Sequence, residues 1–357
     1  MESTTRQRER IPAAVLGATG AVGQRFVALL ADHPWFELAE LAASDRSAGR
    51  PYGEAVHWLG RSEMPESAAA RQVVRAGDPL TSPVVFSALG RDVASELEPL
   101  YASQGHRVVS NASSFRTHPQ VPLLIPEINP DSLDLLPGQE WAAAGGCLVT
   151  NPNCSTVGLT MALAPLHREL GVEAVTVATM QALSGAGYPG VSALDALGNV
   201  IPYIPGEEEK IEREPLEILG ADFPISAAAH RVPVIDGHTQ AVFVRLARRV
   251  TPGEAAELLA SFVGEPQRLR LPSAPQQPIG VLAAPDRPQP LHDVDRRGGM
   301  TVWVGRLRGD RTWDLRFTVL VHNTLRGAAG AAVLNAELML ARGLIAGSVL
   351  AGAEEAR

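Results

Sequence analysis

The chain has 357 residues, of which 45% are hydrophobic and 20% charged, with a formal net charge of −8. This length favours two domains, and the composition is that of a soluble globular protein rather than a disordered or fibrous one. The acidic balance argues against a nucleic-acid partner, although it leaves room for a local basic pocket that binds a small anion. The chain has two cysteines and no Cys/His spacing typical of a metal site, so we expect no disulfide framework and no metal.

Neither end of the sequence has the pattern of a targeting or membrane segment. The N-terminal residues are polar, and the apolar run that follows is short and broken by Gly17, unlike a secretory signal. The tract 327–353 is interrupted by Asn335, Glu337 and Arg342, so it predicts a packed helix rather than a membrane span. Together with the scarcity of cysteine, these features predict a cytoplasmic protein with no membrane partner.

The first 150 residues alternate short apolar runs with helical stretches. In chain order the predicted elements are a strand in IPAAVLGA, a helix in AVGQRFVALLADH, strands in FELAELAAS and PVVFSALG, a helix in DVASELEPLYASQG and a strand in HRVVSNAS. This alternation predicts a parallel, right-handed, doubly wound sheet, which is a nucleotide-binding architecture in outline.

After about residue 150 the pattern changes to longer, β-rich segments. Strands are predicted in VEAVTVATMQAL, TQAVFVRLARRV and TVWVGRLRGDRTWDLRFTVLV, and Gly309-Asp310 can turn the last into a hairpin. GEEEKIEREPLEIL and TPGEAAELLASFV predict helices, whereas the proline-rich run 272–290 predicts a loop. A final helix from about Arg326 can pack back on the first domain. The second domain is therefore predicted to be α+β.

A glycine turn, Gly17-Ala18-Thr19-Gly20-Ala21-Val22-Gly23, lies between the first strand and the first helix. Glycines there permit a tight turn and let backbone amides approach a pyrophosphate at the helix N-terminus. The spacing is GxxGxxG rather than GxGxxG, so glycines that merely serve a turn remain an alternative. The position at the first strand–helix junction favours the cofactor interpretation.

The segment Ser44-Asp45-Arg46-Ser47 follows the second predicted strand. An acidic residue there usually binds the ribose hydroxyls of NAD, whereas a nearby arginine accommodates the 2′-phosphate of NADP. Arg46 and the flanking serines favour NADP, although a solvated loop explains the same residues.

Cys154 lies in Asn151-Pro152-Asn153-Cys154-Ser155-Thr156, directly before the helical pattern VGLTMALAPLHREL. A thiol at a helix N-terminus has a stabilised thiolate and a lowered pKa, and the same amides can bind an oxyanion. Cys147, in the apolar AAAGGCLVTN, is better explained as a buried structural residue. Cys154 is therefore the candidate nucleophile.

A thiolate that performs acyl chemistry needs a proton acceptor, and the chain has nine histidines. His238 ends the segment RVPVIDGH, which brings an arginine and a histidine to a turn before a strand. His230 is not much less plausible on this reasoning, so both remain candidates.

Seven segments in chain order carry a resemblance that spans nearly the whole chain: GATGAVGQRF, SNASSFR, NPNCST, QALSGAGYPG, GEEEKIE, RVPVIDGH and HNTLRGAAGAAVLNAE. They resemble the aspartate-semialdehyde dehydrogenases of the archaeal and fungal type, in the glyceraldehyde-3-phosphate dehydrogenase-like superfamily. The resemblance implies an α/β Rossmann-type doubly wound sheet that binds NADP, formed by residues 1–151 and 325–357. It also implies an α+β catalytic and dimerisation domain, residues 152–324, and a homodimer or homotetramer.

The resemblance assigns roles to individual residues. It makes Cys154 the nucleophile, His238 the acid/base and Gln181 the residue that orients the substrate and intermediate. The implied substrate site consists of Arg231 for the carboxylate, Glu207 for the amino group, Arg116 and Lys210 for phosphate, and Asn111 and Ser113 near the cofactor or phosphate. The implied cofactor site consists of Gly17, Thr19, Gly20, Ala21, Val22, Gly23, Ser44, Arg46, Ser47, Ser184, Gly185 and Asn323. From the residues alone, Glu207 and Lys210 also fit a solvated helix face.

The activity implied is the reversible, NADPH-dependent reductive dephosphorylation of L-aspartyl 4-phosphate to L-aspartate 4-semialdehyde through a cysteine thioacyl intermediate. Such an enzyme serves lysine, threonine and methionine biosynthesis and releases inorganic phosphate. Alternatives are a malonyl-CoA reductase, a secondary-metabolism paralogue that acts on a related acyl phosphate, or a catalytically dead cofactor-sensing regulator. An acetylglutamyl-phosphate reductase is disfavoured because that family has glycine where Asn153 stands.

Overall fold

The first of two sheets is built from the alternating segments of the N-terminal half; a computed structural model describes residues 10–346. Its strands are Ile11–Leu16 (β1), Phe36–Ala43 (β2), Val73–Arg75 (β3), Val84–Ser87 (β4), Arg107–Ser110 (β5) and Cys147–Thr150 (β6). All run parallel, in the order β3-β2-β1-β4-β5-β6, which confirms the doubly wound sheet. The order reverses between β1 and β4, so a ligand crevice is expected at the carboxyl ends of these strands.

The edge strands of this sheet were not predicted from the sequence. β3 has three residues and β6 has four, and only short helical segments directly precede them, so neither shows the strand–helix alternation that indicates the equally short β4 and β5. The helices between the strands are Ala21–Ala31 (α1), Tyr52–Ala55 (α2), Glu66–Ala69 (α3) and Arg91–Ser103 (α4). Phe26 of α1 and Tyr101 of α4 are fully buried in separate clusters, which cover opposite faces of the sheet.

The second sheet is mixed. Its strands are Val172–Gln181 (β7), Ile225–Arg231 (β8), His238–Leu246 (β9), Ile279–Leu282 (β10), Val302–Gly309 (β11) and Leu315–Val321 (β12), in the order β10-β11-β12-β9-β7-β8. β11 and β12 form the expected antiparallel hairpin, joined by residues 310–314. β10 lies within the proline-rich run, so the prediction of a loop throughout 272–290 was wrong. The four residues of β10 contain no proline, and as an edge strand it pairs only with β11.

Helices cover one face of the second sheet. The helices of this part of the chain are Cys154–Leu170 (α5), Ala193–Ala196 (α6), Glu207–Leu219 (α7), Pro252–Ser261 (α8), Glu265–Arg268 (α9) and Pro290–Asp293 (α10), and it is α5, α7 and α8 that form this layer. α5, α7 and α8 share one apolar cluster with the inward side chains of the strands. On the other face, Thr239, Ala241 and Phe243 of β9 remain half-buried. Alternation of side chains along β9 therefore leaves an open sheet face.

Short helical turns occupy Pro130–Gly138, Ala142–Ala144, Leu183–Ala186 and Arg296–Gly299. Near the last of these, the buried carboxylate of Asp293 accepts hydrogen bonds from Arg287 Nε at 2.6 Å and from Arg296 Nη1 at 3.1 Å. These contacts lower the pKa of Asp293 to about 2, and the hydrogen bond from Arg287 is the largest cause. This charged cluster supports the connection between β10 and β11.

The C-terminal part of the chain returns to the first sheet. A π-helix, Leu325–Ala329, continues into Gly330–Ala341 (α11), and α11 joins the apolar cluster of β1, β4 and α1. Glu337 of α11 accepts a hydrogen bond from His33 Nε2 at 2.8 Å, and both side chains are buried. The ends of the two predicted domain ranges, residues 1–9 and 347–357, lie outside the described residues.

Candidate active site

Cys154 is the first residue of α5, as its sequence context predicted. Asn153 caps the helix: its Oδ1 accepts the N–H of Ser155 at 2.9 Å and that of Thr156 at 3.3 Å. The loop that precedes the cap follows β6, so the thiol lies where the carboxyl edge of the first sheet meets the second domain. As a residue, Cys154 is half-buried.

His238, the first residue of β9, lies directly beside the thiol. Its Nε2 is 3.1 Å from Cys154 Sγ, and its Nδ1 accepts the backbone N–H of Ala182 at 3.0 Å. Because Nδ1 is an acceptor, the proton of the neutral ring is on Nε2 and points at the sulfur. A ring turned by 180° would lose both contacts. Burial, followed by the charge of Arg231, lowers the pKa of His238 to about 3.

The thiol of Cys154 is less acidic than the sequence predicted. Burial, followed by the charge of Glu207, raises its pKa to about 12, and the opposing effects of Arg116, Arg231 and Lys210 are smaller. The expectation of a lowered pKa, drawn from the helix N-terminus, is therefore wrong for the free chain, because desolvation opposes the thiolate. Arg116, Arg231 and Lys210 nevertheless favour the thiolate of Cys154, so neutralising the charge of Glu207 would lower the pKa of the thiol.

Glu207, at the start of α7, is a buried hub of hydrogen bonds. Its carboxylate accepts Asn153 Nδ2 at 3.0 and 2.9 Å, Gln181 Nε2 at 3.1 Å and Lys210 Nζ at 2.9 Å. Burial acts to raise its pKa, but these partners together hold the pKa below its usual value. The structure thus joins Gln181, Glu207 and Lys210 to the cap of Cys154, and Glu207 does not lie on a solvated face.

Arg116 lies at the same junction, in the loop after β5, and is mostly buried. Its Nη1 donates to Glu214 Oε1 at 3.1 Å and its Nη2 to the backbone oxygen of Asn111 at 2.9 Å. Asn111 in turn donates to the backbone oxygen of Ser87 at 3.1 Å and accepts from Asn151 at 2.7 Å. Sequence reasoning missed Glu214. Its spacing of seven residues from Glu207, which sets both on one face of α7, was the available signal.

Arg231, the last residue of β8, turns toward this site. Its Nη1 donates to the backbone oxygen of Ala182 at 2.8 Å. A Cβ at Gly185 would be 2.9 Å from that Nη1, so glycine keeps the approach to the arginine open. His230, the other candidate base, occupies the alternate face of β8, and its Nδ1 lies 3.3 Å from the backbone oxygen of Thr179. The geometry therefore favours His238 over His230.

The glycine turn lies at the carboxyl end of β1. Gly17 has φ +70°, and a Cβ on it would be 2.7 Å from the backbone oxygen of Ala88. A Cβ on Gly23 would be 2.1 Å from the Gly17 oxygen. Side chains at both positions are thus excluded. Gly20 caps α1, whose first residues are Ala21 and Val22, and amides in a first helical turn have no acceptor within the helix. This cradle, which also contains Thr19, fits a pyrophosphate.

The remaining predicted cofactor residues lie on either side of the turn. Ser44 and Arg46 are exposed in the turn after β2, and Ser47 is buried there. Asn323 donates to Ser184 Oγ at 2.8 Å and accepts the N–H of Gly237, the residue before His238, at 2.8 Å. A cavity of about 460 Å³ runs between α1 and the segment Leu183–Val191. Ser113 is half-buried in the loop after β5.

Two kinds of feature are absent from residues 10–346. No helix in this range combines the length and apolarity that a membrane crossing requires. Within the same residues, no group of three or more His, Cys, Asp and Glu side chains is arranged to hold a metal ion.

Comparison with known proteins gives the same outline. Residues 12–136 match the family model "Semialdehyde dehydrogenase, NAD binding domain", and residues 163–326 match "Semialdehyde dehydrogenase, dimerisation domain". The chain is 49% identical to an aspartate-semialdehyde dehydrogenase of Archaeoglobus fulgidus, over 94% of this chain and 100% of that protein. It is 46% identical to one of Schizosaccharomyces pombe, over 93% of this chain and 98% of that protein.

Solved structures agree. A crystal structure of aspartate semialdehyde dehydrogenase with NADP from Candida albicans superposes with a TM-score of 0.87 at 40% identity, covering 94% of this chain and 100% of that chain. Aspartate semialdehyde dehydrogenase II from Vibrio cholerae gives a TM-score of 0.76 at 26% identity, covering 93% and 99%. Because both semialdehyde dehydrogenase domain models match and the relatives are identical at nearly half of the aligned positions over almost the whole chain, the chain belongs to the aspartate-semialdehyde dehydrogenase family of oxidoreductases.

Proposed function

We propose that this chain catalyses the reversible, NADPH-dependent reductive dephosphorylation of L-aspartyl 4-phosphate to L-aspartate 4-semialdehyde, with Cys154 as nucleophile. The observation that carries the proposal is the 3.1 Å contact between Cys154 Sγ and His238 Nε2 at the N-terminus of α5. The name shared by the relatives supplies the substrate class.

The charges around the thiol match those of an aspartyl phosphate. Arg231 suits the α-carboxylate, because a guanidinium can bind a carboxylate through two parallel hydrogen bonds. Glu207 suits the α-ammonium, and Arg116 and Lys210 suit the phosphate. In the free chain Lys210 donates to Glu207. A substrate ammonium that takes its place on Glu207 releases Lys210 toward the phosphate and offsets the carboxylate charge that opposes the thiolate.

The reaction then proceeds through a covalent enzyme intermediate. With the substrate ammonium on Glu207, Cys154 releases its proton to solvent, because His238 Nε2 already carries one. The resulting thiolate attacks the acyl carbon, the bond from that carbon to the phosphate oxygen breaks, and phosphate leaves against Arg116 and Lys210. NADPH, when bound, supplies the hydride that reduces the thioester. His238 occupies the acid/base position, and its Nε2–H donates to the oxyanion that forms. Gln181 holds the acyl group in place. Cleavage of the carbon–sulfur bond regenerates the thiolate and releases the aldehyde.

Preference for NADP over NAD is part of the proposal. Arg46 and Ser44 are exposed in the turn after β2, a position from which an arginine accommodates the ribose 2′-phosphate in dinucleotide-binding domains, and Ser47 follows them in the same turn. The relative from Candida albicans was crystallised with NADP, which supports this choice. Arg46→Ala should weaken NADPH binding more than NADH binding, measured by fluorescence titration. Equal losses for the two cofactors would contradict the assignment.

We also propose the division into residues 1–151 with 325–357 and residues 152–324, and assembly as a homodimer that can pair into a tetramer. The open face of the second sheet, with half-buried Thr239, Ala241 and Phe243, supports the dimer because residues 163–326 match a dimerisation domain. Light scattering during size-exclusion chromatography tests it, and a monomeric mass would contradict it.

The decisive test of the activity uses the two cysteines as a matched pair. Cys154→Ala should abolish oxidation of the semialdehyde with phosphate and NADP while NADPH still binds. Cys147→Ala should leave turnover intact, because Cys147 is buried in β6 and burial raises the pKa of its thiol to about 12. Turnover in the Cys154→Ala variant would refute the proposal. Malonyl-CoA with NADPH should give no activity, since that substrate has no ammonium for the buried Glu207.

A further inference from the structure

Glu214 connects the two domains at the catalytic junction. It lies on α7, and its side chain is 2% exposed. One carboxylate oxygen accepts Arg116 Nη1 at 3.1 Å, and the other accepts the backbone N–H of Asn153 at 2.6 Å. Arg116 belongs to the loop after β5, whereas Asn153 is the cap that precedes the nucleophile. A single buried carboxylate therefore touches both the candidate phosphate site and the nucleophile's loop.

The two contacts constrain their partners strongly. Hydrogen bonds to a buried carboxylate are short and about twice as strong as neutral ones, and removing one partner leaves a desolvated charge. With Nη1 on Glu214 and Nη2 on the Asn111 oxygen, the plane of the Arg116 guanidinium cannot rotate freely. The same carboxylate fixes Asn153, whose side chain caps α5 and donates to Glu207.

We propose that Glu214 is a positioning residue that aligns the phosphate-binding arginine with Cys154, so that the leaving phosphate and the nucleophile are held in one geometry. This inference rests on the proposed function. It gives Glu214 no contact with the reacting atoms, because both of its oxygens are engaged by Arg116 and Asn153. It differs from a purely structural ion pair in one measurable respect: among the KM values of the three substrates, its loss should change that of phosphate selectively, while kcat falls because Asn153 also loses a contact.

The test is a double-mutant cycle in the oxidative direction with semialdehyde, inorganic phosphate and NADP. Glu214→Gln keeps the shape and removes the charge. It should raise the phosphate KM about ten- to a hundredfold, the range expected for a hydrogen bond to a charged group. The KM values for semialdehyde and NADP should change little. In an Arg116→Ala background the same substitution should have no further effect on the phosphate KM, because the aligned group is already absent.

Glu217→Gln is the matched control. Glu217 is exposed one turn further along α7, so this variant should behave as wild type. If Glu214→Gln is too unstable to assay, Glu214→Asp keeps the charge, shortens the side chain by one methylene and should raise the phosphate KM in the same selective way.

Two results would overturn the inference. One is a uniform fall in kcat/KM for all three substrates that parallels a loss of thermal stability. The other is an additive effect of the Arg116 and Glu214 substitutions on the phosphate KM. If the wild-type protein is active with these substrates, either result refutes only the role of Glu214 and leaves the proposed function unchanged. A wild-type protein inactive with these substrates would refute the proposed function and this inference together.

Discussion

Gly327 provides a direct test of how Cys154 is held. It lies in the π-helix Leu325–Ala329, which packs against the first turn of α5. A Cβ at this position would be 2.8 Å from Cys154 Cβ and 3.0 Å from Cys154 Cα. Carbon atoms in favourable contact are about 3.5 Å apart or more, so Gly327→Ala requires the two segments to separate by roughly 0.7 Å.

The cost of this separation follows from the packing around it. Overpacking a filled interior destabilises a protein by about 1–3 kcal/mol, and alanine recovers at most about 1 kcal/mol of helix propensity. We expect Gly327→Ala to lower the free energy of unfolding by about 1–2 kcal/mol. Because a misplacement of about 1 Å can cost roughly a hundredfold in rate, a shift of the thiol by a large part of that distance should lower kcat about tenfold or more.

The assay combines urea unfolding with kcat and with the rate of Cys154 alkylation by iodoacetamide. Gly253→Ala is the control, because Gly253 lies in the first turn of α8 and its nearest neighbour would be 3.9 Å from the new Cβ. That variant should keep the wild-type kcat. Wild-type stability and kcat in Gly327→Ala would refute the reasoning, since they would mean that the π-helix does not pack tightly against Cys154.

Three further predictions concern the protonation of His238, the space at Gly185 and the effect of Asp293 on stability in acid. Nitrogen-15 NMR should find His238 protonated at Nε2 and unprotonated at Nδ1 from neutral pH down to about pH 4, because its pKa is lowered to about 3; a titration near pH 6.5 would contradict the Ala182 contact. Gly185→Ala should lower kcat/KM for the semialdehyde about tenfold or more, because the new methyl would be 2.9 Å from Arg231 Nη1 and 3.0 Å from His238 Cε1 and so disturb the proposed carboxylate contact and the imidazole together; an unchanged kcat/KM would mean that substrate approaches elsewhere. Asp293 has a depressed pKa, so its stabilising effect of about 2 kcal/mol is present above its unfolded pKa near 4 and is lost as the pH falls toward 2. The stability difference between wild type and Asp293→Asn should therefore shrink over that range, and a constant difference would contradict the ion-pair explanation.

Local patterns in the sequence predicted much of this architecture. The strand–helix alternation and the glycine turn are short-range signals, and both identify the first sheet correctly. The start of α5 at Cys154 was also predictable, because Asn153 is a strong helix cap and the apolar period follows at once. The edge strands β3, β6, β8 and β10 were missed. β3, β6 and β10 are short, and only short helical segments directly precede them, so no strand–helix alternation indicates them. β8 is seven residues long, but its sequence ISAAAHR is rich in alanine, which is depleted in strands.

The electrostatics of the site depended on contacts that no local pattern contains. The pKa of Cys154 is determined by burial and by Glu207, a residue 53 positions away that the fold brings next to the cap. Glu214 is similarly remote from Arg116, although both belong to one ion pair. A helix N-terminus alone predicts an acidic thiol, but the surrounding protein decides whether desolvation outweighs that effect.

The return of α11 to the first sheet has a consequence for synthesis on the ribosome. Residues Gly330–Leu340 of this helix are all buried, mostly against strands from the first half of the chain. A nascent chain that ends before residue 325 contains every strand of the second sheet but lacks one covering layer of the first. The domain translated first must therefore wait for the last segment to emerge, while the central domain can complete its core earlier. Vectorial folding of this chain thus runs from the middle outward, and C-terminal truncation should damage the nucleotide-binding domain first.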